Sequence, residues 1–223
     1  MTPARFSRLK QALAARQPDL TVLADGVHKP HNVSAILRSC DAIGIYRMHA
    51  VSADRELRRH HMLAGGAKRW VEIRLHDSIE AGFKALRADG WRLAVAHSGA
   101  GARDFREVDY TQQLAIVLGA ELHGPSEHAL EQADFSIRIP MQGLVESLNV
   151  SVAAAVILFE AQQQRSAAGL YDESRLAPEE FARTIFEWSY PHIARRCRES
   201  GRAYPALAED GRLLENPLSG AQM

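Results

Sequence analysis

Strand-like and helix-like segments alternate along most of this 223-residue chain, and this alternation limits the possible folds more than any other feature. Residues 114 to 118, LAIVL, are continuously apolar, which is typical of a strand that is buried on both faces. Residues 32 to 43 instead repeat their apolar positions at helical spacing and stop before Gly44. Such alternation predicts an α/β fold, with a mainly parallel sheet and helices on both of its faces.

Periodicity and turn residues predict the remaining elements and the division of the chain into parts. Further strands are predicted at residues 20–23, 46–51, 71–75, 92–97 and 135–139, and further helices at residues 3–17, 78–89, 126–132, 181–190 and 193–198. We therefore predict a basic N-terminal helix over residues 1–18, an α/β core over residues 19–165 and a helical C-terminal extension over residues 166–223.

Composition is that of an ordinary globular protein, with 46% hydrophobic and 24% charged residues. The sequence has no run of 18 apolar residues, so we expect no membrane span. The basic start lacks the apolar segment of a secretory signal. Cys40 and Cys197 form neither a disulfide framework nor a metal pattern, so we expect a reducing, cytoplasmic environment and no metal site.

The formal net charge is zero, which by itself argues against a nucleic-acid partner. The basic residues, however, collect near both ends of the chain. Residues 1 to 18 contain no acid, and residues 192 to 202 contain arginines against Glu199 alone. A phosphate backbone is attracted by a local patch of basic residues more than by the net charge of the whole protein, because salt screens charges beyond roughly 8–10 Å. Solvated helix faces would explain the pattern equally well.

Residues 139 to 159, IPMQGLVESLNVSVAAAVILF, join a polar loop to a helix that is apolar on nearly all sides. Such a helix is expected in the core or at a subunit interface. Ser147 and Asn149 fall at its N-terminus, where unpaired backbone N–H groups face the loop. Buried polar groups need partners, so these two residues indicate either a ligand pocket or an ordinary helix cap.

A second polar segment, LGAELHG at residues 118 to 124, follows the buried strand. Its glycines would let the backbone approach a ligand closely. The spacing is nevertheless not the dinucleotide-binding fingerprint, because Glu121 stands where that pattern has glycine and would repel a pyrophosphate. Many joints between a strand and a helix share these features.

A third segment, HKPHNVSAILRSC, opens the helix predicted at residues 32 to 43. Asn32 would be an ordinary N-cap there. Arg38 lies between the expected core positions Leu37 and Cys40, and a partly buried guanidinium needs a carboxylate or a phosphate. On this pattern alone a structural salt bridge is favoured over a functional anion.

In their order and spacing, residues 32 to 38, LGAELHG and IPMQGLVESLNVSVAAA resemble the three motifs of the SPOUT methyltransferases. They are most similar to the TrmH branch, which methylates ribose 2′-hydroxyls of RNA with S-adenosylmethionine. The similarity extends to ARDFREVDYT, ILFEAQQQRSAAGLYD and YPHIARRCRESGRAYPAL. It implies a SPOUT-type sheet with a C-terminal trefoil knot, and a homodimer. It also implies a tRNA substrate methylated at guanosine 18 in the D-loop, with ribosomal RNA as the alternative.

The resemblance also implies roles for individual residues. The cofactor-binding residues would be His97, Leu118, Gly119, Gly124, Ile139, Met141 and Leu148, and the catalytic residues would be Arg38, Asn32, Glu121, Ser147 and Asn149. In the implied reaction, the ribose 2′-oxygen attacks the methyl group of the cofactor in line. Arg38 is the family's candidate for a general base, although guanidinium is not ordinarily deprotonated in proteins. The alternative is that Arg38 holds an RNA phosphate and stabilises the developing alkoxide.

Contacts to tRNA would come mainly from basic residues near the chain ends, and they would position the RNA rather than read its sequence. These residues are Arg5, Arg8, Lys10, Arg16, His31, Arg165, Arg195 and Arg196.

The chain departs from the family pattern at Leu122-His123, where relatives commonly have a lysine followed by another residue. Two other functions fit the sequence less well. A non-catalytic RNA-binding protein would not need the five implied catalytic residues. A nucleotide-dependent dehydrogenase would need the glycine fingerprint, which this sequence lacks.

Overall fold

The computed structural model describes residues 1–52 and 69–214, and the chain divides into two compact units. The larger unit spans Gln17–Leu170 and contains the sheet. The smaller unit combines Met1–Arg16 with the chain from Tyr171 onward, so that both ends of the chain contribute to it.

Within the described part of the larger unit, seven parallel strands form one sheet in the order β3-β2-β1-β6-β4-β7-β5. The strands are β1 (Leu20–Ala24), β2 (Arg47–Val51), β3 (Glu72–His76), β4 (Arg92–Ala96), β5 (Arg103–Asp104), β6 (Leu114–Leu118) and β7 (Phe135–Arg138). Every residue of β1 and β6 is buried. The prediction of a mainly parallel sheet is therefore confirmed. The sequence did not predict β5, because two residues are too few to show a period.

The helices are α1 (Pro3–Ala14), α2 (Pro30–Ile43), α3 (Ile79–Ala88), α4 (Glu127–Gln132), α5 (Val150–Ala167), α6 (Pro178–Ser189) and α7 (Pro191–Glu199). Gly44 ends α2 in the left-handed conformation, with φ of 87°, as predicted. The helix begins at Pro30, two residues earlier than predicted, and Lys29 is its N-cap. The interpretation of Asn32 as an N-cap is therefore wrong, because Asn32 lies within the first turn.

Helices cover both faces of the sheet in the larger unit, as the alternating pattern predicted. One core cluster joins α2 and α5 to the sheet and includes Ile36 and Ile157. The cluster on the other face includes Phe83 of α3 and Ala129 of α4. Burial of each large aliphatic or aromatic side chain stabilises the fold by about 1.5–3 kcal/mol, so these two layers fix the strand ends that carry the site.

The smaller unit contains α1, α6 and α7. Helix α1 buries one side, formed by Phe6, Leu9 and Leu13, and leaves its basic residues Arg5, Arg8 and Lys10 exposed. Arg16 differs from them, because it is buried and its guanidinium lies 5.1 Å from the centre of the Trp188 ring. The prediction that Arg16 contacts RNA is therefore corrected: its stem and charge pack inside this unit.

Arg165, also predicted to contact RNA, is fully buried in the larger unit. Its guanidinium pairs with the Asp19 carboxylate at 2.7 Å and donates to Gln17 Oε1 at 2.8 Å. It also donates to the backbone carbonyls of Tyr110, Asp19 and Gln112. The prediction of RNA contact is wrong, because a fully buried side chain cannot reach RNA. Arg165 follows Ala161 by four residues, and this spacing places both on the buried face of α5. Arg165 ties this helix to the starts of β1 and β6.

Two histidines form a buried pair between neighbouring strands. His49 Nδ1 lies 2.8 Å from His76 Nε2, and the two rings are nearly parallel. Burial, the neighbouring His76 and the charges of Arg47 and Arg74 lower the pKa of His49 to about 3. Both burial and Arg74 also lower the pKa of His76. One ring donates to the other, and no acceptor remains for this bond once both rings are protonated.

We expect this pair to make the fold sensitive to acid. In the unfolded chain His49 takes up a proton near pH 6.5, whereas the folded protein does so only near its lowered pKa of about 3. The contribution of His49 is therefore complete above pH 6.5 and lost as the pH falls toward 3. The free energy of unfolding should fall by up to about 1.4 kcal/mol per pH unit in that window.

Urea unfolding of the wild type and of His49→Gln between pH 7 and pH 4 measures this contribution. The pH dependence of the variant should be shallower than that of the wild type. The exposed His192, replaced in the same way, serves as the control and should leave the dependence unchanged. Parallel curves for the wild type and His49→Gln would show that the pair does not respond to pH.

Candidate active site

A pocket of about 490 Å³ opens in the larger unit where loops follow β4, β6 and β7 and where α5 begins. Parallel strands place their carboxyl ends at the same edge of the sheet, and open α/β sheets bind ligands there. The volume lies within the range that small-molecule sites occupy. The second and third motif segments of the sequence therefore meet at the part of the fold best placed to bind a cofactor.

All seven residues predicted to bind the cofactor line this pocket. They are His97, Leu118, Gly119, Gly124, Ile139, Met141 and Leu148. Ile137 and Ile157 add apolar surface from the core side, and Ser98, Ser147 and Asn149 are polar residues of the lining. Apolar walls with a few polar groups are the usual lining of a small-molecule site.

The loop after β6, residues 119–125 and hereafter the pocket loop, is closed on itself. Ala120 and Gly124 exchange two backbone hydrogen bonds of 2.9 Å each. A β-carbon at Gly119 would lie 2.0 Å from the backbone nitrogen of Pro125, so only glycine fits there. Gly124 has a φ of +69°, which glycine adopts readily. The two glycines of LGAELHG thus allow this closed turn.

Three of the predicted catalytic residues form one chain of hydrogen bonds. Asn32 Nδ2 donates to Glu121 Oε1 at 2.5 Å, and Asn149 Nδ2 donates to Asn32 Oδ1 at 3.3 Å. Asn32 is only 2% exposed. Its amide therefore connects the second motif to the third from the first turn of α2, which the sequence could not show because the three residues lie far apart along the chain.

The Glu121 carboxyl is ionised at neutral pH. Partial burial acts to raise its pKa, but the hydrogen bonds from Asn32 and from backbone N–H groups, with the charge of Lys29, outweigh burial and lower the pKa. The site therefore contains a fixed negative charge, held in place by a buried amide.

Asn149 caps α5, and it also lies in the lining of the pocket. Its side-chain oxygen accepts from Ser151 N at 2.9 Å and so caps α5, while its amide nitrogen reaches Asn32. Asn149 also lines the pocket, as does Ser147, whose side chain is exposed. The helix cap and the site contact thus use different atoms of one side chain.

Arg38 is exposed, which corrects the expectation that it is partly buried. Leu37 and Cys40 are buried as predicted, but the side chain between them points away from the core. It is not among the residues that line the pocket. Within residues 1–52 and 69–214, the structure shows no hydrogen bond or ion pair to its guanidinium, so it shows no structural salt bridge there either. His31, before Asn32, is exposed as well.

Three charged residues line the pocket although they were not predicted as site residues: Lys29, Arg138 and Glu146. Lys29 adjoins the first motif and Glu146 lies within the third, so their positions were a usable signal. Arg138 ends β7 and gave no such signal, because its spacing does not distinguish it from any surface arginine.

In the part of the chain that the structure describes, no three or more histidine, cysteine or carboxylate side chains are grouped as metal ligands would be. None of the described helices has the length and hydrophobicity that crossing a membrane requires.

A parallel α/β sheet with a pocket at its strand ends, and a carboxylate–amide chain beside that pocket, agrees with the SPOUT methyltransferase class that the sequence motifs resemble. The chain belongs to the SpoU rRNA methylase family, whose model matches residues 19–159. A second model, for the C-terminal part of SpoU rRNA methylases, matches residues 163–216. The resemblance to the TrmH branch is therefore confirmed.

Individual relatives match over most of their length. The chain is 51% identical over 187 residues to the tRNA (guanosine(18)-2′-O)-methyltransferase of Thermus thermophilus, covering 84% of this chain and 96% of that protein. It is 43% identical over 215 residues to the Escherichia coli protein of the same name, covering 96% and 94%. The crystal structure of the A. aeolicus TrmH/SpoU tRNA modifying enzyme superposes with a TM-score of 0.76 at 36% identity, covering 85% and 97%.

Proposed function

We propose that this protein transfers a methyl group from S-adenosylmethionine to the ribose 2′-oxygen of guanosine 18 in the D-loop of tRNA. The observation that carries the proposal is the Glu121–Asn32–Asn149 chain, which joins three separate motifs beside one pocket. Relatives with the name tRNA (guanosine(18)-2′-O)-methyltransferase match nearly the full length of the chain, which favours tRNA over the alternative, ribosomal RNA.

The pocket fits the cofactor in size and chemistry. When bound, S-adenosylmethionine supplies an activated methyl group on a positively charged sulfur. Glu121 and Glu146 give the pocket two carboxylates, and Lys29 and Arg138 give it two cationic groups. Both signs of charge suit this cofactor, which carries a sulfonium and an ammonium group as well as a carboxylate. Leu118 and Ile139 provide apolar surface for the adenine, and backbone groups of the pocket loop would hold its edge.

The residues of this chain then place and stabilise the attacking oxygen. Because guanidinium keeps its charge, we propose that Arg38 binds an RNA phosphate beside the target ribose and stabilises negative charge on the 2′-oxygen. The hydroxyl proton would pass to solvent water, and the cofactor would leave as S-adenosylhomocysteine once its bond to the methyl group is broken. Glu121 and Asn149, fixed by Asn32, would orient the ribose, and Ser147 would contact the same region from the third motif. Correct placement alone can supply about 7–11 kcal/mol of the barrier reduction.

We further propose a homodimer with α5 at its interface. Val152 and Phe159 are 47% and 53% exposed on this helix, although its composition predicts burial. A second copy would cover these apolar side chains, and a stable interface buries about 1,200–2,000 Å² in total. Family membership also supports a trefoil knot in the core, residues 19–165, with residues 1–18 and 166–223 as extensions. We expect a cytoplasmic enzyme that needs no metal.

The exposed basic residues on the smaller unit are proposed to bind tRNA phosphates. They are Arg5, Arg8 and Lys10 on α1 and Arg195 and Arg196 on α7. His31 would contact RNA nearer the pocket. Because α1 buries its apolar side within its own unit, the basic residues can be changed without disturbing that packing.

Neutralising Arg5, Arg8 and Lys10 together with glutamine should weaken tRNA binding by about 10-fold or more. It should also reduce the slope of log affinity against log salt by about two, because fewer counterions are released. Binding measured between 50 and 200 mM salt tests both, with the exposed Lys84→Gln on α3 as the control. An unchanged slope would show that α1 has only a structural role.

The function itself is tested with purified protein, labelled S-adenosylmethionine and an unmodified tRNA transcript. We expect label in 2′-O-methylguanosine at position 18, and none in a transcript with 2′-deoxyguanosine there, because that sugar lacks the acceptor oxygen. Label that enters ribosomal RNA fragments but not tRNA would establish the alternative function instead.

A further inference from the structure

We infer that Asp25 is a positioning residue, which holds the pocket loop in place by bonding to both of its ends. Asp25 directly follows β1 and is 7% exposed. Its backbone N–H donates to the carbonyl of Leu118, the residue before the loop, at 2.8 Å. Its carboxylate Oδ2 accepts from the backbone N–H of Ser126, the residue after the loop, also at 2.8 Å.

The loop between these two anchors behaves as one piece. The paired hydrogen bonds of Ala120 and Gly124 close it internally, and Gly119 lies against Pro125. The position of such a closed loop relative to the sheet depends on its attachments. The Leu118 bond continues the pairing of β1 with β6, whereas the Ser126 bond needs a side chain that accepts a hydrogen bond.

The same stretch of chain after β1 also reaches the tip of the loop. Asn32, seven residues beyond Asp25, donates to Glu121 at that tip. Asp25 holds the base of the loop, and Asn32 holds its tip. Glu121 can therefore reach Asn32 only when the base of the loop keeps its position beside β1. A carboxylate is well suited to this bond, because an ionised acceptor makes a stronger hydrogen bond than a neutral one.

Asp25 is not among the residues that line the pocket, so it acts through Ser126 and the loop. Without it, the Ser126 N–H loses its acceptor and the pocket walls at Leu118 and Gly119 lose their fixed spacing. The effect on cofactor binding rests on the proposed cofactor site. The effect on loop mobility does not depend on that site.

The first experiment compares the wild type, Asp25→Ala and Asp25→Asn, in which the amide oxygen can still accept from Ser126. Calorimetric titration with S-adenosylmethionine, at a temperature where circular dichroism shows all three folded, should give an affinity loss of about 10-fold or more for Asp25→Ala. Asp25→Asn should recover most of it. Steady-state kinetics should show a raised KM for S-adenosylmethionine in Asp25→Ala, with the KM for tRNA little changed. The exposed Asp89→Ala on the same unit is the control.

Hydrogen exchange of the free proteins provides a second, independent readout. The amides of residues 119–126 should exchange faster in Asp25→Ala than in the wild type, while those of β1 and β6 stay protected. A lowered Tm with unchanged exchange and unchanged affinity would overturn the inference, because Asp25 would then be merely structural. If the wild type binds no cofactor, the proposed function fails, and the exchange data still decide the role of Asp25.

Should Asp25→Ala fail to fold, the bond can be removed from the other side. Ser126 has a φ of −62°, which proline accepts, so Ser126→Pro deletes the donated N–H. Ser126→Ala loses the side-chain cap of α4 but keeps the N–H, and is its matched control. Faster loop exchange in Ser126→Pro than in Ser126→Ala supports the inference, and equal exchange overturns it.

Discussion

Replacing Arg38 with alanine is expected to lower kcat for methyl transfer by about 10²–10³-fold or more, while cofactor affinity stays near that of the wild type. The side chain is exposed and lies outside the pocket lining, so neither the fold nor the cofactor site depends on it. Its proposed task begins only when RNA brings a phosphate and a ribose to the site.

Single-turnover transfer to tRNA, together with calorimetric titration of the cofactor, separates chemistry from binding. Arg38→Lys keeps the positive charge but loses the planar fork, so partial activity would indicate that charge on the attacking oxygen is what matters. Arg106→Ala, which removes another exposed arginine, is the control. Near wild-type turnover in Arg38→Ala would remove this residue from the mechanism.

Replacing Arg165 with methionine is expected to lower the free energy of unfolding by about 3–5 kcal/mol, because it leaves buried partners without a donor. The guanidinium makes five hydrogen bonds, one of them within an ion pair to Asp19. Lysine should restore little of this stability, since a single ammonium group cannot reach acceptors on opposite sides of the fork.

Urea unfolding at pH 7 measures this effect, with Arg106→Met as the surface control. A change below 1 kcal/mol would show that the network contributes little. The same variants test the corrected role of Arg165. A folded Arg165→Lys protein should bind tRNA like the wild type, and a selective loss of tRNA affinity would return Arg165 to the RNA interface.

The sequence predicted most of the sheet and helices because their periods are local properties. The strand Leu114–Leu118 and the helix end at Gly44 agree with the structure. The two-residue strand β5 was not predicted, since it forms only because β7 offers an edge to pair with.

Long side chains were harder to place than backbone elements. Arg165 and Arg195 look alike as basic residues on helices, yet one is fully buried and the other exposed. Their difference depends on where Gln17 and Asp19 lie in space, which no pattern near residue 165 reveals. Arg38 was expected to be partly buried but is exposed. Its buried neighbours in the sequence do not decide the direction of the side chain between them.

For the site, the family motifs identified the residues, but not how they connect. Asn32 was predicted as a cap or as a catalytic residue, and it is the buried link between Glu121 and Asn149. Each of these contacts joins positions about 90 to 120 residues apart, so only the folded chain shows them.

The order of the strands affects how the chain folds during and after synthesis. Strand β6 lies between β1 and β4, both of which precede it in the chain, and Leu20 pairs with Leu114. The middle of the sheet therefore cannot close during synthesis until the ribosome has released the segment around residue 118. Contacts of such long sequence separation slow folding. We accordingly expect this chain to fold slowly after synthesis. We also expect it to need protection from aggregation as long as β1 and β4 have not yet paired with β6.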